Sequence, residues 1–199
     1  MALVAPLHED EMAPELRDEV QFFKGPLGVV PNSVRTMAHR PGIARAFTAL
    51  NIAVMTCHGA VTPEFKRLIG YVTSFTSGCR YCQAHTILGA ERFGSTEDRL
   101  RDVCDFEDSP HFTGAEKAAL AFARAAAEVP NGVTPEIETR LKAHWSDGDI
   151  VEIMGVVALF GYLNRWNDSM GSALEDLPVE TAARLLGGTG WAVGKHVPE

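Results

Sequence analysis

The sequence predicts an all-α fold, a bundle of helices in a single domain over residues 1–199. Apolar residues recur at three- and four-residue spacing along almost every long segment, whereas the alternating pattern of β-strands is scarce. Pro and Gly divide the chain into segments of helical length. Capping sequences mark several helix starts, among them Thr62 and Thr113. These three observations favour helices throughout.

The first third of the chain contains three predicted helices. The first covers residues 14–23 and should end at Lys24, before Gly and Pro. Asn32 is expected to cap a short second helix. Pro41 suits the first position of a third helix, which should end near Gly59. This third helix would place four apolar residues on one side: Ile43, Phe47, Leu50 and Val54.

The middle of the chain contains two helices around an interruption. Thr-Pro-Glu at 62–64 supplies a hydroxyl cap, a Pro at the first position and an early acid, so a helix is predicted to about residue 76. Gly78 interrupts it. Cys79 then opens a helix that should extend to about residue 93.

Three further helix starts follow, at Thr113, Thr134 and Ser146, and the last of these helices should reach about residue 170. Residues 150–163 are apolar on every side. A helix of this kind must be buried all round, so we expect it either at the centre of the bundle or against a partner subunit.

Composition restricts the function classes. Lys and Arg number 18 against 26 Asp and Glu, a net charge of −8 without a basic run, which argues against binding to nucleic acid or anionic lipid. The longest apolar run, 150–163, is interrupted by Glu152 and is shorter than the roughly 20 residues that span a bilayer. Residues 1–11 carry acids rather than an export signal, and four Cys are too few for a secreted disulfide scaffold. We therefore expect a cytoplasmic protein.

The sequence Gly-Cys-Arg-Tyr-Cys-Gln-Ala-His at 78–85 carries the chemistry. On a helix that begins near Cys79, the residues Cys79, Cys82 and His85 follow at three-residue steps and lie on one side. Cys79 would sit among the free backbone N–H groups of the helix start, which favour a thiolate. A Cys-x-x-Cys pair can also close a disulfide, so the motif predicts a two-electron thiol site.

The helix terminus alone cannot make the thiolate dominant. Lowering a thiol pKa by about two units takes roughly 2.7 kcal/mol, whereas a helix terminus supplies about 0.3–1 kcal/mol. A nearby base or cation must contribute. His85, one turn after Cys82, is the candidate, and Arg67 and Arg80 are the nearest cations in sequence.

Other interpretations of the motif remain open. Cys79, Cys82 and His85 with a water molecule would form a zinc site of catalytic type, and the two Cys could also be a structural disulfide or buried thiols. Cys57 and Cys104 are isolated, and we expect them to serve packing. Because the chain lacks a Gly-rich phosphate loop, we expect no organic cofactor, and we assign no metal ligands.

The stretch 61–89 resembles the alkylhydroperoxidase D-like part of the carboxymuconolactone decarboxylase superfamily. The resemblance rests on Val-Thr-Pro-Glu-Phe-Lys at 61–66 and on the Cys-x-Tyr-Cys-x-x-His motif that ends at His85. Shorter matches at 30–32, 38–41, 146–150 and 163–165 are similar to the peroxidase-related branch. Together they extend the resemblance over about residues 20–175, with a redox core at about 41–175.

The resemblance implies an all-helical homo-oligomer, a dimer, trimer or hexamer, that reduces a small hydroperoxide or disulfide and is reset by an external dithiol. By the family pattern, Cys82 attacks, Cys79 closes the Cys79–Cys82 disulfide and His85 relays the proton. The helix-start argument instead favours Cys79 as the more acidic thiol, so the two lines of reasoning differ at this point.

The chain departs from the family pattern at the proton relay. Arg67 occupies the position of the relay Glu, where it would favour a thiolate by its charge or point to solvent, and Glu64, one turn earlier, is the nearest substitute. Thr86 occupies the position of the family His, and His85 comes one residue before it. Two other functions therefore stay open: a decarboxylase or lyase that uses Arg67 and His85, and a non-catalytic redox-sensing oligomer.

Overall fold

The computed structural model describes residues 2–56 and 58–198, and within these ranges it contains α-helices and 3₁₀ turns but no strand, which confirms the all-α prediction. In chain order the helices are α1 (Pro14–Val20), α2 (Lys24–Leu27), α3 (Asn32–Met37), α4 (Pro41–Met55), α5 (Pro63–Thr76), α6 (Arg80–Arg92), α7 (Glu97–Arg101), α8 (Gly114–Ala127), α9 (Pro135–Lys142), α10 (Asp147–Met170) and α11 (Asp176–Leu186).

The long helix α10 lies at the centre of the bundle and packs against α4, α5, α6 and α8. Ser146 and Asp149 form the expected capping box at its start, and Gly171 ends it in the left-handed conformation, with φ of 60°. Its expected burial on all sides is wrong for this chain by itself, because Val151 is 71% and Met154 41% exposed. One apolar face of α10 therefore points outward.

Helices α5 and α6 form a helical pair whose bounds agree closely with the prediction. The Thr62 hydroxyl accepts a hydrogen bond of 3.1 Å from the Phe65 backbone N–H at the start of α5. Gly78 adopts a φ of 76° in the turn between the helices, a conformation in which a side chain is strained. Cys79 is the N-cap residue of α6, so the turn places both Cys of the motif at one helix start.

The N-terminal region differs from the prediction at two points. The chain stays helical beyond the expected stop at Lys24, because Pro26 falls in the first turn of α2, where its missing N–H costs no hydrogen bond. Asn32 is the first residue of α3 rather than its cap, and its side-chain amide instead donates to the Ala173 carbonyl at 3.0 Å. This contact ties α3 to the segment before α11, a helix that is not among those predicted from the sequence.

Helix α4 matches its predicted span, but its apolar face is divided. Phe47 is buried, whereas Ile43 is 45% and Leu50 50% exposed. The described helix ends at Met55, and Cys57, which we expected to pack near this end, lies outside the described residues.

Two contacts fix α5 against its neighbours. Gly70 lets α10 approach closely, since a Cβ there would lie 2.5 Å from the Phe160 ring. The buried Lys66 ammonium donates to the carbonyls of Val54 (2.7 Å) and Thr56 (2.6 Å) and lies 2.7 Å from a Glu152 carboxylate oxygen. Both contacts hold α5 in register beside the Cys pair. Within the described ranges, no helix combines the length and the apolar character needed to cross a bilayer.

Candidate active site

A mainly apolar cavity of about 70 Å³ lies beside the Cys pair, and Cys82 is part of its wall. Its apolar wall is made of Phe23, Pro26, Leu27, Pro31, Val34, Phe47, Met55, Phe160 and Leu163. Its polar wall is made of Ser33, Asn51, Arg67, Tyr81, Cys82, His85, Thr86 and Asn167. The cavity therefore brings together one thiol, one imidazole and one guanidinium on a largely apolar surface.

Cys79 is the more acidic thiol of the pair. Its sulfur caps α6 and accepts a hydrogen bond of 3.4 Å from the Cys82 backbone N–H. A hydrogen bond from the Cys82 thiol lowers the pKa of Cys79, and burial opposes this effect without cancelling it. Cys79 is fully buried and does not line the cavity. The acidic thiol thus lies behind the thiol that faces the cavity.

Cys82 keeps its proton more firmly. Burial raises the pKa of Cys82 well above the usual thiol value, and its hydrogen bond with Cys79 adds to this effect. The Asn167 side-chain amide donates to the Cys82 sulfur at 3.4 Å and acts in the opposite direction. A proton that moves from Cys82 to Cys79 therefore creates a thiolate at the cavity wall, with Asn167 as its donor.

His85 has an oxygen atom beside each ring nitrogen. Nδ1 lies 3.1 Å from the Tyr81 carbonyl oxygen. Nε2 lies 2.9 Å from a Glu175 carboxylate oxygen, close enough for an ion pair although the ring N–H is not well aligned with that oxygen. Both oxygens can accept a hydrogen bond, so they orient the imidazole ring from its two sides.

Glu175, the N-cap residue of α11, is the carboxylate behind His85. It also accepts hydrogen bonds from the Tyr81 hydroxyl (3.1 Å) and from the Asn32 backbone N–H. Burial by itself would raise the pKa of Glu175, but its interactions with His85 and with the Asn32 backbone N–H outweigh burial and lower it. The carboxylate is therefore ionised at neutral pH.

Glu64, the relay carboxylate proposed from the sequence, lies in a different set of contacts. It accepts hydrogen bonds from the Ser95 hydroxyl (2.6 Å) and from Arg99 Nε (3.0 Å). The structure thus brings together Cys79, Cys82 and His85, and it places Glu175 rather than Glu64 against the imidazole.

Arg67 is directed inward rather than to solvent. It is only 6% exposed and lines the cavity. Its Nη1 donates to the Pro63 carbonyl at 2.9 Å, and its guanidinium carbon lies 4.2 Å from the centre of the Phe93 ring. Burial lowers the pKa of Arg67 to about 10, so the group remains charged at neutral pH.

Sequence reasoning missed two residues of the site, Asn167 and Glu175. A signal for Asn167 was present, because Asn164 and Asn167 interrupt the buried apolar face of α10 at three-residue spacing. Glu175 precedes the helix α11, whose apolar spacing is visible in the sequence, but no local pattern connects it with His85.

The zinc interpretation does not match the contacts of His85. Both of its ring nitrogens face oxygen atoms, of Tyr81 and of Glu175, so neither is free to join the two sulfurs around a metal. Across residues 2–56 and 58–198, no group of three or more His, Cys, Asp or Glu side chains is arranged to hold a metal ion.

Part of the sequence matches a known protein family and a protein of Escherichia coli. The sequence model described as "Carboxymuconolactone decarboxylase family" matches residues 41–125. The uncharacterized protein YnjA of Escherichia coli (strain K12) is 33% identical over 108 residues, which make up 54% of this chain and 56% of YnjA. The chain thus aligns with little more than half the length of that relative.

Solved structures extend the similarity over nearly the whole chain. The debrominase Bmp8 is 31% identical, with a TM-score of 0.84, covering 92% of this chain and 97% of Bmp8. Its C82A variant in complex with 2,3,4-tribromopyrrole superposes with a TM-score of 0.85 at 30% identity, covering 93% of this chain and 98% of that one. A peroxidase-related protein with an alkylhydroperoxidase AhpD core from Ralstonia eutropha JMP134, at 21% identity and a TM-score of 0.77, covers 100% of this chain and 98% of its own and shares the fold. The chain therefore contains a carboxymuconolactone decarboxylase family region at residues 41–125, and it shares its fold with Bmp8 and with the AhpD-core protein.

Proposed function

We propose that the protein is a thiol-dependent oxidoreductase that reduces a small organic hydroperoxide with its Cys79–Cys82 pair. The observation that carries this proposal is the position of Cys82 on the wall of the cavity, with a more acidic thiol behind it and His85 on the same wall. Reduced thiols and dithiol reductants are typical of the cytoplasm, which is the compartment that we propose for the reaction.

The proposed cycle transfers two electrons from the thiol pair to the peroxide. Cys79, as thiolate, takes the proton of Cys82, and the Cys82 thiolate attacks the terminal peroxide oxygen. The O–O bond breaks, Cys82 becomes a sulfenic acid, and the alkoxide takes a proton from His85 to leave as an alcohol. The Cys79 thiol then attacks the sulfenic sulfur, and a disulfide and water form. An external dithiol returns two electrons and two protons to the disulfide.

The cavity size favours a small substrate. Its volume of about 70 Å³ is roughly half that of the ~150 Å³ apolar cavity known to bind benzene. A short alkyl hydroperoxide therefore matches the space better than a substituted ring, which would need the cavity to widen. The apolar walls suit the alkyl group, and Cys82 and His85 suit the peroxide.

Reductive dehalogenation is a second candidate function, favoured by the similarity to the debrominase Bmp8 over nearly the whole chain. In such a reaction the carbon–bromine bond breaks, a carbon–hydrogen bond forms and bromide leaves. The dithiol again supplies two electrons and becomes a disulfide. The same Cys pair can serve both reactions, so the substrate rather than the site distinguishes them.

We also propose that the protein is a homo-oligomer, in which a second copy covers the outward apolar face of α4 and α10. These two helices pack together, and Leu50 on α4 and Val151 on α10 are 50% and 71% exposed. Light scattering should give a mass that is a multiple of 21.6 kDa, and Leu50→Glu should reduce it. A particle of single-chain mass in the unaltered protein would contradict this proposal.

Turnover of tert-butyl hydroperoxide with dithiothreitol as reductant tests the proposed function. Cys82→Ser should abolish peroxide-dependent oxidation of the dithiol. Cys79→Ser should stop turnover, because it removes both the base that takes the Cys82 proton and the thiol that closes the disulfide. The sulfenic acid that forms slowly at Cys82 then persists, and dimedone traps it for location by mass spectrometry. Cys104→Ser is the matched control, because Cys104 does not line the cavity and contacts Tyr71 instead, and it should retain full activity.

Each other outcome points to a specific function. Full activity in Cys82→Ser would exclude the thiol mechanism. Turnover of a small carboxylated ring that persists after thiol alkylation would favour decarboxylase or lyase chemistry. A disulfide that forms and is reduced without turnover would indicate a redox sensor. Bromide release from 2,3,4-tribromopyrrole that exceeds hydroperoxide turnover would assign the dehalogenase function instead.

A further inference from the structure

Arg67 is a buried cation that lacks an acidic partner among the described residues. Only 6% of its surface is exposed, and its described polar contact is the Pro63 carbonyl, a neutral acceptor. Burial is the cause of its lowered pKa, with no carboxylate that offsets it. Burying a charge without a counter-charge costs free energy. A functional role would explain why this position carries an Arg.

Two other cations of the chain, Lys66 and Arg99, have the acidic partners that Arg67 lacks among the described residues. Lys66, the preceding residue on α5, is fully buried and lies 2.7 Å from a Glu152 carboxylate oxygen. Arg99 lies between the carboxylates of Glu64 and Glu116. The fold therefore supplies acids to these buried or half-buried cations, and Arg67 differs from both.

The guanidinium of Arg67 is held in place before any ligand arrives. It stacks on the Phe93 ring at 4.2 Å and donates through Nη1 to Pro63. Gly89 on α6 makes room for the side chain, since a Cβ there would lie 3.0 Å from Arg67 Cγ. Nε and Nη2 have no partner among the described residues and remain available for a ligand.

Arg67 shares the cavity wall with Cys82 and His85. An anionic group bound to Arg67 therefore enters the same small space that holds the reacting thiol. The apolar walls of the cavity suit a short carbon chain. A carboxylate suits the planar guanidinium well, because two N–H groups can donate to its two oxygens.

We propose that Arg67 is an anion-binding residue of the substrate site, and that the preferred substrates are small organic acids with the reactive group, a hydroperoxide or a halogen, a few carbons from a carboxylate. This inference rests on the proposed function for the reactive group. The anion subsite itself is testable without turnover.

The test compares two alkylating reagents of nearly equal size, iodoacetate and iodoacetamide. In both, the Cys82 thiolate displaces iodide and forms a carbon–sulfur bond, but only iodoacetate carries a carboxylate. Peptide mapping by mass spectrometry gives the rate at Cys82 for each reagent. The ratio of the two rates within one variant cancels differences in thiol reactivity and in the fraction of folded protein.

Arg67→Gln should lower the iodoacetate-to-iodoacetamide ratio at Cys82 by about 10-fold or more, the loss expected for a charge-assisted contact. Arg67→Lys should retain part of the preference. Arg80→Gln is the matched control, because Arg80 is a cation near the Cys pair that does not line the cavity. Butanoate should protect Cys82 of the unaltered protein from iodoacetamide more strongly than butanamide does.

An unchanged ratio in Arg67→Gln, or an equal fall in Arg80→Gln, would overturn the anion subsite. Equal protection by butanoate and butanamide would do the same. These results are independent of hydroperoxide turnover: a peroxidase with an unchanged ratio would retain the proposed function without the subsite. A changed ratio in a protein without turnover would retain the subsite without the proposed function.

Discussion

The Glu175 carboxylate lies 2.9 Å from His85 Nε2, although Glu175 caps the start of α11 and His85 lies on α6. This contact gives the imidazole a fixed orientation and a counter-charge. In the proposed proton relay, Glu175 takes the place of the acid that the family pattern has at the position of Arg67. Glu175 is thus the residue on which the proposed proton transfer most depends.

Glu175→Gln should lower kcat/KM for hydroperoxide by about 100-fold, at the lower end of the range for general acid–base catalysis, because His85 loses the carboxylate that orients its ring for the proposed proton transfer. Stopped-flow measurement of peroxide reduction checks this. Glu64→Gln is the control and should retain activity, since Glu64 contacts Ser95 and Arg99. A larger loss in Glu64→Gln than in Glu175→Gln would return the relay to Glu64, as the sequence suggests.

The same ion pair predicts how stability depends on pH. The pKa of Glu175 is lowered from its ordinary value of 4.5, so its ionised form stabilises the fold above that pH. This contribution is lost as the pH falls through the pKa of the folded state. Urea unfolding should therefore show a stability difference between the unaltered protein and Glu175→Gln that is largest near pH 7 and shrinks below pH 4.5. A difference that grows on acidification would contradict this assignment.

The helix starts of the central bundle could be predicted from sequence because their causes are local. Thr62, Ser146 and Thr113 each accept a hydrogen bond from a backbone N–H three residues later, and such capping depends on a few neighbouring residues. The motif residues Cys79, Cys82 and His85 share one helix, so their proximity also follows from spacing.

The parts of the site that could not be predicted come from contacts between distant segments. Glu175 reaches His85 only because α11 packs on α6. Asn32 serves this packing rather than capping, since its backbone N–H donates to Glu175. Apolar spacing likewise does not distinguish a face that is covered by the same chain from one left exposed, as Leu50 shows.

The two thiols should respond to each other in a defined direction. Cys82→Ala removes the hydrogen bond that lowers the pKa of Cys79, so the Cys79 pKa should rise towards or above its ordinary value. Asn167→Ala removes a donor to the Cys82 sulfur, so the pKa of Cys82 should rise further. Alkylation rates measured against pH, with peptide mapping, give both values. A Cys79 pKa that is unaffected by Cys82→Ala would disprove the coupling.

Close packing between α5 and α10 depends on Gly70. Although Ala has a higher helix propensity than Gly by about 1 kcal/mol, Gly70→Ala should destabilise the fold by about 1–3 kcal/mol because its Cβ meets the Phe160 ring. Gly155→Ala on α10 is the matched control, since a Cβ there lies 3.7 Å from Val54, an ordinary contact distance. Urea unfolding should show no loss for Gly155→Ala. Adding Phe160→Leu to Gly70→Ala should restore part of the stability.

The neighbouring cations Lys66 and Arg67 should respond oppositely to replacement by Met. Lys66→Met removes the partner of the mostly buried Glu152 and should cost about 3–5 kcal/mol of unfolding free energy. Arg67→Met removes a buried charge that has no acidic partner among the described residues, so it should leave stability unchanged or raise it by about 1–3 kcal/mol. Unfolding in urea at neutral pH measures both changes.

A stabilised Arg67→Met variant with a reduced preference for iodoacetate would mean that the charge is kept for its ligand at a cost in stability. A loss of more than about 1 kcal/mol in Arg67→Met would instead assign the residue to packing on Phe93.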